Sequence, residues 1–326
     1  MKSNLFKFIH SLGIGHLLRI SKKNQLTILS LHRISNEEDY FFNPIRPQSF
    51  EKLLIYIKKH YTVISFQDLR ELKMDKSKPL LILSFDDGYY DFYEYALPIL
   101  NKYRLPCNHN IVNDCANDNT VIWTQRLNFI FNHCRNNKID LEFDLNQQMF
   151  SLKVFDSHWM KFYIQFFQFL LTIPKLDRLK IIDEKERELA IEPKVRMMNW
   201  DEIRECSRMN VEIGCHTYSH DVLSTVVDEG ILIQEIINSK IEIEQKIDKN
   251  VSIIALPNGQ GNDLIDSFCL KSGFEFLLYV NDGVNDLDVV SNSTLNKFDR
   301  ISLIEESYPE MVLRTELLHS KLRKYV

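Results

Sequence analysis

Apolar runs of strand length alternate with helix-period segments along most of this chain, and that alternation constrains its fold more than any other feature. "LTILSL" (Leu26 to Leu31), "YTVISF", Leu80 to Phe85, "CNHNIV", "VEIGCH", "SIIALP", "FEFLLYV" and "FDRISLI" all read as strands. Between them, "FEKLLIYIKKH" places Phe50, Leu53, Leu54 and Ile57 at helical spacing. "YEYALPILNKY" reads as a helix interrupted near its start by Pro98, and "ILIQEIINSKIEIEQKI" sets Ile233, Ile236, Ile237 and Ile241 on one side. Strands alternating with helices imply parallel strands and βα units. At least seven such strands favour a barrel over an open sheet.

The pattern changes from about Ala116 to Arg196. Trp123, Leu127, Ile130, Phe131 and Cys134 form a helical stripe, "WMKFYIQFFQFLL" is dense in aromatics, and "KLDRLKIIDEKERELAI" is a charged helix. We read residues 116–196 as a mostly helical insertion within a single domain spanning 1–326. Its aromatic stripe reads first as the insertion's own core and second as a wall for a ligand groove. The 326 residues are 44% hydrophobic, enough for one large core. A net charge of -5, from 40 basic and 45 acidic residues, argues against a nucleic-acid partner. The six cysteines form no CxxC pair, so neither a zinc ribbon nor a disulfide framework is expected, and a reducing compartment fits. "MKSNLFKFIHSLGIGHLLRISKKNQ" is broken by Lys7, His10, His16 and Arg19 and does not read as a signal peptide. No run approaches the roughly 20 apolar residues of a membrane span. Leu5 to Leu18 reads as an amphipathic helix packed on its own domain, with peripheral membrane contact as the alternative. The location expected on this reading is cytoplasmic or membrane-peripheral.

Asp86 and Asp87 end the apolar run Leu80 to Phe85, just before Gly88. Two adjacent carboxylates there require a cation, an arginine or a raised pKa. A second polar cluster, "EIGCHTYSH", puts His216 and His220 four apart on a turn that closes another strand. In a βα barrel the carboxyl ends of the strands gather on one face, where active sites form. One carboxylate plus two histidines, with open positions left over, is a catalytic site for zinc or a similar divalent ion. One aspartate would bind the cation, whose field would keep its neighbour ionised as a general base.

"LSFDDGYYD" together with "HTYSH" resembles the polysaccharide deacetylases, the NodB-homology or carbohydrate esterase 4 group. That family pairs [ST]-F-D-D-G with H-[ST]-x-x-H on a distorted (β/α) barrel. "ALPNG" (Ala255 to Gly259), "KSGFEFLLYVNDGVN" and "FDRISL" resemble its later motifs, in order, and "LHRIS" resembles the branch with an added N-terminal strand. The resemblance covers about Leu80 to Cys115 and Arg196 to Leu303. It implies a metal-dependent hydrolase that removes N-acetyl groups from an amino sugar of a glycan or glycolipid in surface polysaccharide biosynthesis. It implies Asp86 as the base that takes a proton from water, and Asp87, His216 and His220 as metal ligands. The oxyanion would be met by the metal and the backbone N–H of Asn258, beside Pro257. Two departures matter. The family's R-x-P-[YF] motif has Ala255 and Asn258 in place of its arginine and aromatic, which leaves Arg300 to orient Asp86. The L-x-x-H motif is missing, because "ELLH" carries Glu316 where leucine is expected. His32, at the end of the first strand, is then the candidate acid, expected on the side of the metal away from Asp86; His109 reads as packed and His319 as part of a terminal helix. The alternatives are a deacetylase of a non-glycan amide or ester, and a metal-containing carbohydrate-binding protein that has lost catalysis. Retention of both Asp86 and Asp87 speaks against the last.

Overall fold

In the computed structural model of the chain, residues 6, 24–71, 75, 77–145, 148–153, 158–289 and 295–318 are described. The helix expected between Leu5 and Leu18, Phe6 apart, and His319 lie outside the described residues. The strands are β1 (Gln25–Leu31), β2 (Thr62–Val63), β3 (Leu80–Phe85), β4 (Cys107–Ile111), β5 (Leu141–Leu145), β6 (Gln148–Leu152), β7 (Val211–Cys215), β8 (Ile253–Ala255), β9 (Phe276–Tyr279), β10 (Asn285–Asp286), β11 (Asn296–Asp299) and β12 (Ile301–Ser302). A parallel sheet runs β1-β3-β4-β7-β8-β9-β11. The last segment closes it: β11 pairs with β9, the chain turns at Arg300, and β12 pairs with β1. Below that contact the same edge of β1 is taken by antiparallel β10. The result is a distorted (β/α) barrel whose closing strand changes partner midway.

Period-two alternation fills the barrel in tiers. Leu26, Ile28, Leu80, Ile82, Ile253, Ala255, Phe276, Leu278 and Phe298 make one buried apolar cluster. Two residues further along their strands come Ser30, Ser84 and Arg300, and beyond them His32, Asp86 and Ser302 at the mouth. The opposite end is stopped by the short helix Phe66–Arg70, which adds Phe66 and Leu69 to the same cluster. Its first N–H groups, on Phe66 and Gln67, donate to the Glu212 carboxylate at 2.7 and 2.8 Å.

Helices cover the outside. Pro47–His60 buries Phe50, Leu53, Leu54 and Ile57, as its spacing predicts. Pro98 does not break its helix, because it falls in the first turn of Leu97–Tyr103, directly after a π-helical turn at Phe92–Ala96. The isoleucine face differs from the expected one. Leu232, Ile236, Ile243 and Ile247 are buried, while Ile233 and Ile241 are exposed. Isoleucines on both sides of that helix made two stripes equally apolar. Residues between β4 and β7 form the helices Trp123–Asn137, Trp159–Leu170 and Lys175–Leu189 around a separate apolar cluster. They also form the β5–β6 hairpin, paired from Leu141↔Leu152 to Leu145↔Gln148, which the helical reading of this region missed.

Candidate active site and metal centre

Strand register decides which side chains meet at the mouth. β1 and β3 run parallel with Leu31 opposite Phe85, so the next residues, His32 and Asp86, emerge side by side. His32 Nε2 lies 4.0 Å from Asp86 Oδ2. The acid candidate therefore sits beside the base candidate, not across from it as expected, because their strands are neighbours. Asp86 is buried and accepts from Asn110 Nδ2 at 2.7 Å and from Arg300 Nη1 at 2.8 Å. Arg300 Nη2 also approaches Oδ2 at 2.8 Å, near enough for ion pairing though out of line for a hydrogen bond. Burial alone would raise the Asp86 pKa, but the Arg300 charge, aided by His216 and His32, outweighs it and holds the carboxyl well below the usual range.

Arg300 is fully buried at the point where the closing strand changes partner, its backbone N–H on the Tyr279 carbonyl. Beneath it, Ser84 Oγ accepts from Arg300 Nη1 and donates to Asn108 Oδ1, and Asn108 Nδ2 donates to Asn110 Oδ1. This network leaves no room on β7. A Cβ at Gly214 would stand 2.1 Å from Asn110 Oδ1. Residue type does not single out Asn108 and Asn110, yet they share the inward parity of "CNHNIV" that turns His109 outward.

Asp87, His216 and His220 converge. Asp87 Oδ1 is 3.3 Å from His216 Nε2 and 3.4 Å from His220 Nε2, and all three residues are buried. That oxygen has no hydrogen-bond partner. Donor atoms about 2.0–2.1 Å from a tetrahedral zinc are themselves roughly 3.3–3.4 Å apart, so the spacing fits such an ion. His216 Nδ1 lies 2.8 Å from the Ala255 carbonyl, which assigns its proton to Nδ1 and leaves the Nε2 lone pair facing Asp87. Burial pushes His220 down to about 3 against the pull of Asp87, which keeps the ring neutral, as a ligand must be. Burial would raise Asp87, but the adjoining His216 and His220 rings outweigh it and lower its pKa. The backbone here is held in the left-handed region at Asp87 (φ 76°), Gly88 (φ 87°), Thr217 (φ 65°) and His220 (φ 57°). Such strain gathers where a site is imposed on the chain.

These groups floor a cavity of about 200 Å³. Thr124, Gln125 and Asn128 line one wall, with Tyr163 and Phe167 beside them. The stripe read as the core of residues 116–196 is that core: Trp123, Leu127, Ile130, Phe131 and Cys134 are buried together. The wall instead takes Thr124, Gln125 and Asn128 from the polar face of the same helix, and the stripe itself does not line the cavity. Asn258, itself left-handed (φ 56°), lines the cavity with its Nδ2 buried and unpartnered. Pro257 is buried in the turn and stands behind the wall, not in it.

A family model for polysaccharide deacetylase matches residues 175–277, which include His216, His220 and the "ALPNG" turn but not Asp86 and Asp87. Among solved structures, the chain is similar to a Streptococcus pyogenes deacetylase, PplD, in complex with acetate (TM-score 0.60, 16% identity, 90% of this chain and 98% of that one). It is similar to IcaB from Ammonifex degensii (TM-score 0.56, 15% identity, 90% and 97%). A de-N-acetylase from Aggregatibacter actinomycetemcomitans gives a TM-score of 0.52 at 18% identity, over 93% of this chain and 100% of that one. No curated protein matches the chain. The barrel is the fold of these solved deacetylases. The family match spans about a third of the chain, and the solved deacetylases share its fold.

Proposed function

We propose that the chain is a metal-dependent de-N-acetylase acting on an N-acetylated amino sugar of a surface glycan or glycolipid, with Asp87, His216 and His220 holding zinc. One observation carries this reading. A buried carboxylate oxygen without a hydrogen-bond partner faces two imidazole nitrogens at 3.3 and 3.4 Å, directly beside a second, ionised carboxylate. A bound divalent ion supplies polarisation of the acetyl carbonyl and a more acidic attacking water. Asp86, kept ionised by Arg300, accepts the water's proton. His32, 4.0 Å from Asp86, delivers a proton to the departing nitrogen from the same side. The backbone N–H of Asn258 contributes to oxyanion stabilisation. Residues 116–196 are an insertion in one catalytic domain and wall the sugar site through Tyr163 and Phe167. Among the described residues no helix is long and apolar enough to cross a membrane.

Acetate release from N-acetylglucosamine oligomers tests this function. The protein should release acetate, lose that activity to a chelator and regain it with zinc. Chelator-resistant release would remove the metal from the reaction. Zinc binding with no release from any acetylated sugar, amide or ester would leave a carbohydrate-binding protein.

A further inference from the structure

We propose that Arg178 is a positioning residue for the second histidine of the metal centre, and that residues 116–196 set metal affinity through it; this rests on the zinc reading above. Arg178 is completely buried, on the helix Lys175–Leu189 and outside the cavity wall. Its Nη1 donates to Asp221 Oδ1 at 3.1 Å, on the residue directly after His220. Its Nε and Nη2 donate to the Leu170 and Ile173 carbonyls at 3.0 and 2.9 Å, which fixes the turn between two inserted helices. The guanidinium lies 4.7 Å from the centre of the Trp123 ring, and Trp123 Nε1 donates to the backbone carbonyl of His220 itself at 3.2 Å.

The residue before His220 is tied to the same helix. Lys175 Nζ donates to Ser219 Oγ and pairs with Glu235 at 3.6 Å, and Glu235 accepts from the Ser219 N–H at 2.9 Å. Val222 is packed into the apolar cluster of the inserted helices. His220 is thus gripped from Ser219, from its own carbonyl, from Asp221 and from Val222, while its φ of 57° is one a non-glycine residue does not hold unaided. His216 needs none of this, since it follows β7 directly and is oriented by Ala255. The inserted helices therefore support one ligand of the two histidines.

The test is zinc affinity, read by competition with a chromophoric chelator, alongside acetate release. Removing both charges, Arg178→Met with Asp221→Asn, avoids leaving a buried unpaired ion. That variant should bind zinc about 10- to 100-fold more weakly, the usual effect of losing a ligand's support. With zinc saturating, kcat should fall while KM holds, because Arg178 does not touch the cavity. Arg178→Lys keeps the charge and loses the fork, and should fall between. Arg126→Met cuts a different ion pair of the inserted helices, to Asp183 and Glu186, and should leave zinc affinity unchanged. A folded double variant or Arg178→Lys with wild-type zinc affinity overturns the proposal, as does equal loss in Arg126→Met. Absence of zinc binding by the wild type overturns the metal reading and this one with it.

Discussion

Asp86 and Asp87 are consecutive and both buried, yet their surroundings differ in the way the two proposed roles require. Asp86 is enclosed by an arginine and an amide, whereas Asp87 faces two histidine nitrogens. Asp86→Asn should retain zinc and lose turnover by about 10³-fold, within the range of a removed general base. Asp87→Asn should lose zinc first. Metal analysis and acetate release on the two proteins separate these outcomes, and equal zinc loss in both would cancel the division of roles. Gly214 supports Asp86 from a distance. An alanine there meets Asn110 Oδ1 at 2.1 Å and Asn108 Nδ2 at 2.9 Å, both buried and bonded. Gly214→Ala should cost about 1–3 kcal/mol by overpacking and lower turnover by pushing Asn110 off Asp86. A thermal midpoint equal to wild type would show that the layer has slack.

At the scale of elements, each strand has a structural end and a chemical end. Glu212 on β7 faces the stopper helix Phe66–Arg70, four residues before His216 at the mouth. Glu212→Ala leaves two helix-end N–H groups without their acceptor and should destabilise by about 1–2 kcal/mol in a denaturant titration. Zinc affinity should not change; if it does, the two ends are coupled. The strand parity behind this arrangement was legible in the sequence. Leu26, Ile28, Ser30 and His32 alternate inward, as do Leu80, Ile82, Ser84 and Asp86, so apolar floor and polar mouth could be read from spacing. Strand neighbours could not, because local pattern carries no register. That is why His32 was expected opposite Asp86 and is found beside it. "LEFDL" alternates as a strand should, but it is short and lies between helical runs, so the β5–β6 hairpin was overlooked. The ties on His220 were out of reach of spacing too, since Arg178 and Asp221 are 43 residues apart and meet only in the fold.

Over the whole molecule, the polar tier inside the barrel and the apolar layer outside it make stability depend on pH apart from the Asp87, His216 and His220 cluster. His109 marks the boundary. Its ring points outward from β4, with centroids 4.3 Å from Phe92 and 6.0 Å from Phe85, and neither nitrogen has a well-aligned partner. Burial pushes its pKa from 6.5 down to about 4, against the pull of Asp86. Between those values the unfolded chain takes up a proton that the native chain refuses. Stability from this group is therefore complete above pH 6.5 and is lost as pH falls toward 4. At pH 5 the loss relative to pH 7.5 should be about 2 kcal/mol, from a shift worth roughly 1.4 kcal/mol per pH unit. His109→Leu fills the same apolar site without a titrating group. Urea midpoints at the two pH values, with zinc present in both series, should differ less for His109→Leu than for the wild type by that amount. The slope is the readout, because replacing an unpaired ring can raise stability at every pH. An unchanged slope would mean that His109 is not the group whose charging limits the barrel in acid, and would move that role to the remaining buried histidines.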